Sequence, residues 1–380
     1  YLLLALALFI IINVFIHNIY LVLLNCIVIF LLCPLLIALS GILLLPIEEL
    51  IKKFYIRKAR RKLGKRDIIK IGITGSYGKT STKNILASML EKEYKVCTTP
   101  KNFNTVMGVT RAILENLDDH DVFIAEMGAK HKGDIELLAK LVKPKYGVLT
   151  TIGNQHIETF KDLKTIEETK NELPLNLAKG GTMVFNGDSP STLKLYKAYK
   201  GNKYLTNQKN GFAYSENICM DEHGSTFDLV LDGQRLKART KLLGQCNINN
   251  IVTASAMAYI LGISKDDIVS AIKRLSPPPH RLEVIKNNYS TIIDDSYNSN
   301  VVGSQEALEV LSKFKGLKIV VTPGLVEMGT QQSNVNFKLG GQIADVADYI
   351  IIMNEVNKNY LFSGAISHNF DKNKIFFAST

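Results

Sequence analysis

The run Gly75-Ser76-Tyr77-Gly78-Lys79-Thr80-Ser81-Thr82 lies between a β-rich apolar stretch at 68–74 and a helix-forming stretch at 80–90. A strand that turns through glycines straight into a helix presents backbone N–H groups at the helix N-terminus, where negative charge is stabilised. Gly75 and Gly78 let the backbone close on phosphate oxygens, and Ser76 and Ser81 belong to the same cradle. Lys79 reaches the outer phosphates, and the Thr80 hydroxyl can bind Mg²⁺. The strict G-x-x-x-x-G-K-[ST] form is not met, because Ile73 holds the place of its first glycine. A bare G-x-x-G-K-T can be a mere strand-helix turn, but the strand before it and the helix after it favour nucleotide phosphate, that is, ATP.

The same alternation continues: 96–98 then 105–117, 122–127 then 134–141, and 148–152 then 163–178. Short β-rich runs alternating with helices make a parallel sheet covered by helices, an α/β, P-loop-type domain. The unbroken apolar runs Val122-Phe123-Ile124-Ala125 and Val148-Leu149 suit strands buried on both faces. After 182–185 the pattern turns polar and antiparallel, with 225–231 and 235–240 flanking the hairpin signal Asp232-Gly233. A helix is expected over 248–261, ended by Gly262. Ser276-Pro277-Pro278-Pro279 is a stiff break and the expected domain boundary. Beyond it 291–294, 303–314, 318–322, 337–346 and 349–353 predict a smaller Rossmann-like α/β domain, expected to be truncated at Thr380.

Residues 1–46 have a different character, being almost wholly apolar. A span needs about 20 such residues, which 19–45 supplies and 1–16 nearly supplies, so the expectation is a transmembrane helical hairpin. One span, or a buried soluble hairpin, are the other readings. A signal peptide is disfavoured by the length and by the lack of a small-residue cleavage site. Residues 47–66 form a basic juxtamembrane linker with Lys52, Lys53, Arg57, Lys58, Arg60, Arg61, Lys62, Lys65 and Arg66. That bias places 67–275, the central domain, and 276–380 in the cytoplasm, with membrane lipid as a partner. Much of the net charge of +11 is thereby explained, and with no interleaved aromatics or recognition module a nucleic-acid partner is not expected. Cys26, Cys33, Cys97, Cys219 and Cys246 show no metal spacing and read as reduced structural thiols.

Two further residues stand at the carboxyl ends of expected strands, where open α/β sheets bind ligands. Glu126 follows Val122–Ala125 and is placed for a Mg²⁺ contact, or else is a solvated strand-end carboxylate. His156 follows 148–152 and is a functional residue or an ordinary loop histidine.

Taken together, these motifs resemble the Mur ligase family, which makes amide bonds in cell-wall peptides, and are most similar to its D-alanyl-D-alanine-adding branch, over about 68–353. Besides the phosphate loop, the likeness rests on Thr99-Pro100-Lys101-Asn102-Phe103-Asn104-Thr105, Ala125-Glu126-Met127-Gly128-Ala129, Gly153-Asn154-Gln155-His156 and Glu168-Thr169-Lys170-Asn171-Glu172. It rests also on Asn186-Gly187-Asp188, Gly244-Gln245-Cys246-Asn247-Ile248-Asn249-Asn250, Pro279-His280-Arg281-Leu282-Glu283 and Asp294-Asp295-Ser296-Tyr297-Asn298-Ser299-Asn300. The resemblance implies Asn102 and Asn104 near the phosphates, and Mg²⁺ at Thr80, Glu126, His156 and a carbamylated Lys170. It implies Asn247 and Asn250 near adenine, Arg281 at the ATP phosphates, and Asp295 and Asn298 facing the ribose and the reacting groups. Departures are Cys246 and Asn336 where the family has histidines, and Val301 where it has proline. The family's UDP-sugar-binding domain is expected to have no counterpart, its place being taken by the apolar segment.

The implied activity is ATP-dependent amide ligation through an acyl phosphate, with Lys79, His156 and Lys170 as catalytic residues. The acceptor would be a cell-wall peptide precursor, UDP-linked or lipid-linked, and the amine an amino acid or dipeptide, D-Ala-D-Ala first. Alternatives are a ligase acting on a lipid-linked or polymeric acceptor, as in the poly-γ-glutamate synthases, and a non-catalytic nucleotide-binding membrane scaffold. The related enzyme that amidates lipid II carries a four-cysteine zinc insert, which these cysteines do not form.

Overall fold

The computed structural model describes residues 19–65, 67–100, 103–153, 160, 162–277, 279–296, 300–326 and 328–378. The chain divides into two compact units, Tyr1–Arg61 and Lys62–Thr380. The described part of the first is helical throughout and belongs to the helix Ile19–Gly64. Phe30, Leu31, Leu35 and Leu43 on it are exposed. Of the two expected spans, 1–16 lies outside the described residues. The other, 19–45, and the basic stretch expected as a linker form one continuous helix through Pro34 and Pro46. Leucine, lysine and arginine are all strong helix formers, so a change from apolar to basic composition does not by itself end a helix.

The second unit is built on a nine-stranded sheet of order β2-β3-β1-β4-β5-β6-β7-β8-β9. Its strands are β1 (Ile69–Thr74), β2 (Val96–Thr98), β3 (Val122–Glu126), β4 (Tyr146–Leu149), β5 (Thr182–Asn186), β6 (Asn202–Thr206), β7 (Ala213–Asp221), β8 (Gly224–Leu231) and β9 (Gln234–Thr240). Pairing is parallel from β2 to β7, and antiparallel for β7-β8 and β8-β9. β1 is central, with Ile71 beside Ile124 of β3 and Tyr146 of β4. The chain runs from β1 outward to β2, returns to β3, and crosses to β4 on the other flank. This reversal opens a crevice at the carboxyl ends of β1, β3 and β4, the usual place for a ligand.

Every residue of β3 is buried, in keeping with its continuous apolar run. The core of this unit joins Ile71, Ile73, Leu86, Met89 and Ile124 to Ile251, Ala254 and Met257. The helices Lys79–Leu90 and Gln245–Ile260 thus share one interior, and small residues such as Ala254, Ser255, Ala256 and Ala258 on the second let it pack on many sides.

Two differences from the sequence pattern bear on the site. The parallel part runs further than expected, because β6 joins β5 in parallel after the helix Pro190–Ala198, which Ser189 caps and Pro190 opens. The helix expected over 163–178 is broken at Asn171 into Leu163–Lys170 and Glu172–Leu175. The Glu172 carboxylate leaves that line to accept the backbone N–H groups of Gly133 (2.7 Å) and Glu136 (2.9 Å), capping the helix Asp134–Val142.

Past the prolines, β10 (Glu283–Lys286) and β11 (Thr291–Asp294) form their own antiparallel pair. The strand expected at 291–294 therefore does not enter the parallel unit, since Asn287 Oδ1 accepts the N–H groups of Tyr289 and Ser290 and folds the chain back. After the helix Val301–Lys313, a three-stranded parallel sheet is made by β12 (Ile319–Thr322), β13 (Tyr349–Met353) and β14 (Ile375–Ala378). The helices Gln332–Ala344 and Lys358–Ser367 meet at Gly340 and Gly364, where a Cβ would strike the backbone of the other helix.

The departures from the family pattern are accommodated locally. Asn336 is fully buried, and its Oδ1 accepts the Leu325 N–H while its Nδ2 donates to Leu325 O, both at 2.8 Å. Val301 opens a helix already capped by Asn300 Oδ1, which accepts from Val302 and Gly303.

Candidate active site

The phosphate loop connects β1 to the helix Lys79–Leu90 and is pinned from β4. Ser76 and Tyr77 donate their N–H groups to Thr151 O at 2.9 and 3.2 Å, and Thr150 Oγ1 donates to Tyr77 O at 2.6 Å. Gly75 (φ 149°) and Gly78 (φ 79°) have positive φ. A Cβ on the first would run into Thr150 Oγ1, and on the second into Asn250 Oδ1. The glycines are therefore required by both conformation and space. No side chain caps the helix at Gly78, so its first N–H groups remain available to an anion.

Lys79 arches back over this loop, its Nζ donating to Gly75 O and Ser76 O, each at 2.8 Å. Loss of water lowers its pKa to about 8, with Glu126 opposing and Arg281 adding to the shift. Thr80 donates its hydroxyl to Glu126 Oε2 at 2.9 Å. The other carboxylate oxygen, Oε1, receives Asn104 Nδ2 at 3.4 Å. Ser81 sits half-buried in the first turn of the helix.

Lys83 completes this cluster and was not marked by the sequence pattern. It is 2% exposed, donates to Thr99 O at 2.6 Å and lies 3.5 Å from Glu126 Oε2. Its spacing from Thr80, one helical turn, puts both on one face, and that spacing was the available signal.

Lys170 ends the helix Leu163–Lys170 and is 4% exposed. Burial brings its pKa down to about 7, the charge of Lys79 acting in the same direction and Glu172 and Asp134 against it. Asn250 is buried, and its Oδ1 accepts from Thr82 Oγ1 at 3.2 Å, tying the helix Gln245–Ile260 to the loop helix. Asn247, one turn earlier, bonds Leu243 O at 2.8 Å. Burial lowers the Lys83 pKa against the pull of Glu126; the charge of Arg281 adds to the lowering of both Lys79 and Lys83, and it opposes the rise that burial gives the Asp295 carboxyl. Asp295 Oδ1 accepts the Leu282 N–H at 3.2 Å.

Of the expected site residues, Thr80 meets Glu126 directly, Lys79 interacts through charge with Glu126, Arg281 and Lys170, and Asn250 is tied to the loop helix through Thr82. Asn102, His156 and Asn298 lie outside the described residues. Among the described residues, His280, Glu283 and Asp294 are the one trio of metal-ligand side chains within reach of each other. They are engaged with one another already, His280 Nδ1 with Asp294 Oδ2 at 2.7 Å and the His280 N–H with Glu283 Oε2 at 3.0 Å.

Beside the loop, Asp188 Oδ2 accepts Asn249 Nδ2 at 2.6 Å, and Asn207 Nδ2 donates to Asn186 Oδ1 at 2.9 Å. Asp188, Asn207, Gln245 and Asn249 line a cavity of about 240 Å³. Gly244 is approached by the Glu306 carboxylate, which accepts the Cys246 N–H. The Cys246 thiol is pushed up by burial and by Glu306, so it is no thiolate ligand.

A family model described as the Mur ligase middle domain matches residues 73–258. A UDP-N-acetylmuramoyl-tripeptide--D-alanyl-D-alanine ligase of Buchnera aphidicola subsp. Baizongia pistaciae is 32% identical over 262 residues, 68% of this chain and 57% of that protein. The chain therefore spans little more than half the length of that relative. Among solved structures, MurF from Acinetobacter baumannii aligns with a TM-score of 0.79 and 25% identity, covering 87% of this chain and 71% of that one. MurF ligase from Thermotoga maritima in complex with ADP gives a TM-score of 0.77 at 25% identity, covering 87% and 74%.

These likenesses correct one expectation. The membrane location is overturned, because the relatives matched are named as ligases of a UDP-linked precursor and not as membrane proteins. The stretch Ile27–Gly64 is long and apolar enough to cross a membrane by length and composition. One such helix near the start of a chain is a weak sign, which the relatives outweigh.

Proposed function

The chain belongs to the Mur ligase family, and on that premise we propose that it is an ATP-dependent, ADP-forming ligase of the MurF type. It would activate the terminal carboxylate of a UDP-linked muramoyl tripeptide as an acyl phosphate and join it to the amine of D-Ala-D-Ala. The observation that carries this reading is the meeting of Lys79 and Thr80, at the start of the helix after β1, with Glu126, from the end of β3.

The residues fit ATP with Mg²⁺. Lys79 and Lys83 both feel the charges of Glu126 and Arg281, and Lys170 feels that of Lys79, a concentration of positive charge that suits a polyanion. Glu126 Oε2 is taken by Thr80 and Lys83, whereas among the described residues Oε1 has the long contact to Asn104 and keeps lone pairs for a cation. Thr80, Glu126, His156 and carbamylated Lys170 are the residues that would hold the metal. When bound, Mg²⁺ neutralises charge on the transferring phosphoryl group.

The chain's own residues account for the rest. The loop N–H groups and Lys79 hold the triphosphate, with Ser76, Ser81 and Asn102 beside it. Asn247 and Asn250 would meet the adenine, and Asp295 and Asn298 the ribose and reacting groups. Arg281 follows the prolines and would be carried onto the phosphates as 276–281 bends, dividing a central domain at 67–275 from a C-terminal one at 276–380. Closure excludes water that would otherwise hydrolyse the acyl phosphate. Lys170, with a pKa of about 7, is substantially neutral near physiological pH. Its amine can add to CO₂, forming an N–C bond and releasing one proton, which leaves the anionic carbamate.

The test is product analysis by mass spectrometry after incubation with ATP, Mg²⁺, the UDP-linked tripeptide and D-Ala-D-Ala. Formation of the UDP-linked pentapeptide with equimolar ADP is expected, and Lys79→Ala or Glu126→Ala should abolish it with the fold retained. Full activity in either variant, or nucleotide binding without any ligation, would sink the proposal, the latter in favour of a non-catalytic nucleotide-binding role.

A further inference from the structure

Lys83 has no part in the reading above beyond its charge, yet it is among the most completely buried large side chains of the protein. Its ammonium is fixed from two sides. It donates to Thr99 O at 2.6 Å, and Thr99 Oγ1 in turn accepts the Glu126 N–H at 3.1 Å. Lys83, Thr99 and Glu126 therefore form a closed ring in which the lysine sits 3.5 Å from Glu126 Oε2. Thr80 donates to that same oxygen at 2.9 Å. One carboxylate oxygen is thus held by a cation and a hydroxyl, and the other receives the longer contact from Asn104 Nδ2 at 3.4 Å.

We propose that Lys83 is the resident counter-ion of Glu126, and that it makes divalent-cation entry depend on ATP. The inference rests on the ligase reading of the site. In the nucleotide-free protein, a cation approaching Glu126 meets a carboxylate whose charge is already balanced, and it is repelled by Lys79 and Arg281, whose charges also reach this spot. Attraction between a metal and a balanced carboxylate is weak. A triphosphate brings enough negative charge to neutralise these cations, so the metal enters with it. Lys83 acts through Glu126 and is a positioning residue.

The test uses Mn²⁺ as the probe, followed by electron paramagnetic resonance on the full chain, with and without ATP. The wild type should bind Mn²⁺ weakly alone and strongly with ATP. Lys83→Met should bind Mn²⁺ alone at least about tenfold more tightly, since removal of a unit charge at this distance leaves the carboxylate uncompensated. Adding Glu126→Gln to that variant should return the affinity to the wild-type value. Unchanged nucleotide-free Mn²⁺ affinity in folded Lys83→Met overturns the inference and leaves the ligase reading standing. Failure of the wild type to bind Mn²⁺ with ATP overturns both. Should Lys83→Met not fold, Lys83→Arg keeps the charge and must retain the weak nucleotide-free binding; tighter binding there also overturns the inference.

Discussion

The Glu306 carboxylate accepts a hydrogen bond from the backbone N–H of Cys246, closing the N-terminus of the helix Gln245–Ile260 with a side chain from the helix Val301–Lys313. Gly244 makes this possible, because a Cβ there would lie 2.5 Å from Glu306 Oε1. A carboxylate at a helix N-terminus is stabilised by the unpaired N–H groups and the helix dipole. It also joins the segment beyond the prolines to the helix that carries Asn247 and Asn250.

Glu306→Ala should lower stability by about 1 kcal/mol, the usual cost of losing a cap. Burial raises the Glu306 pKa, with the Cys246 N–H opposing. A raised carboxyl pKa means that the folded protein binds the extra proton, so stability falls as pH rises from the unfolded value through the folded one. Glu306→Gln still accepts from Cys246 but cannot ionise. Urea melts at pH 5 and pH 8 should show this variant losing less stability across the interval than the wild type. An equal loss in both would refute the assignment of the pH effect to Glu306.

Gly78→Ala should disable nucleotide binding. Gly78 combines positive φ with contact against Asn250 Oδ1, and an alanine in such a conformation costs about 1–2 kcal/mol before any clash. Fluorescent-ATP titration should show an affinity about five- to thirtyfold weaker, equivalent to that strain at 1.4 kcal/mol per decade.

Lys170 supplies a pH-dependent prediction. Its pKa of about 7 lies well below that of a free lysine. A depressed lysine means the unfolded chain binds more protons between the two values, so this group contributes stability that is lost as pH falls from the unfolded pKa to about 7. The neutral amine required for carbamate formation disappears over the lower end of the same range. Ligation in CO₂-depleted buffer at pH 8 should therefore be slow and recover on adding bicarbonate, with less recovery at pH 6. Lys170→Ala should be inactive and indifferent to bicarbonate. Bicarbonate-independent activity in the wild type would exclude the carbamate.

Much of the frame was legible because parallel strands are buried on both faces, so that 122–125 and 148–149 read as unbroken apolar runs. Glu126 was legible as the first charge after such a run. Lys83 was not, because a lysine in a helix ordinarily faces water, and only the three-dimensional placement of Thr99 O and Glu126 shows that this one faces inward. Glu306 lies 60 residues from its partner Cys246, across the proline break, and no local pattern links them. β6 and β7 were hidden by their half-exposed, mixed composition. The membrane reading erred in the opposite direction, since length and hydropathy measure the ability to enter a bilayer and not the company in which a domain works.

Asn336 tests how the chain tolerates its departures from the family pattern. Its amide satisfies both backbone groups of Leu325 and also donates to Gln332 O at 2.9 Å and to Asn357 Oδ1 at 3.2 Å. Asn357 Nδ2 returns to Pro323 O and Leu325 O. Two buried asparagines therefore clamp the loop that follows β12, where a Cβ on Gly324 would itself meet Asn336 and Asn357. Asn336→Ala leaves the Leu325 N–H without its acceptor and should cost about 1–3 kcal/mol, the penalty for an orphaned buried group. Asn336→His, the family's own choice as the sequence likeness implies, adds bulk to a fully buried site and offers a ring nitrogen at a different angle. It should recover less than half of that loss. Thermal melts of the two variants decide the matter, and wild-type stability in Asn336→His would show that the loop adapts to either side chain.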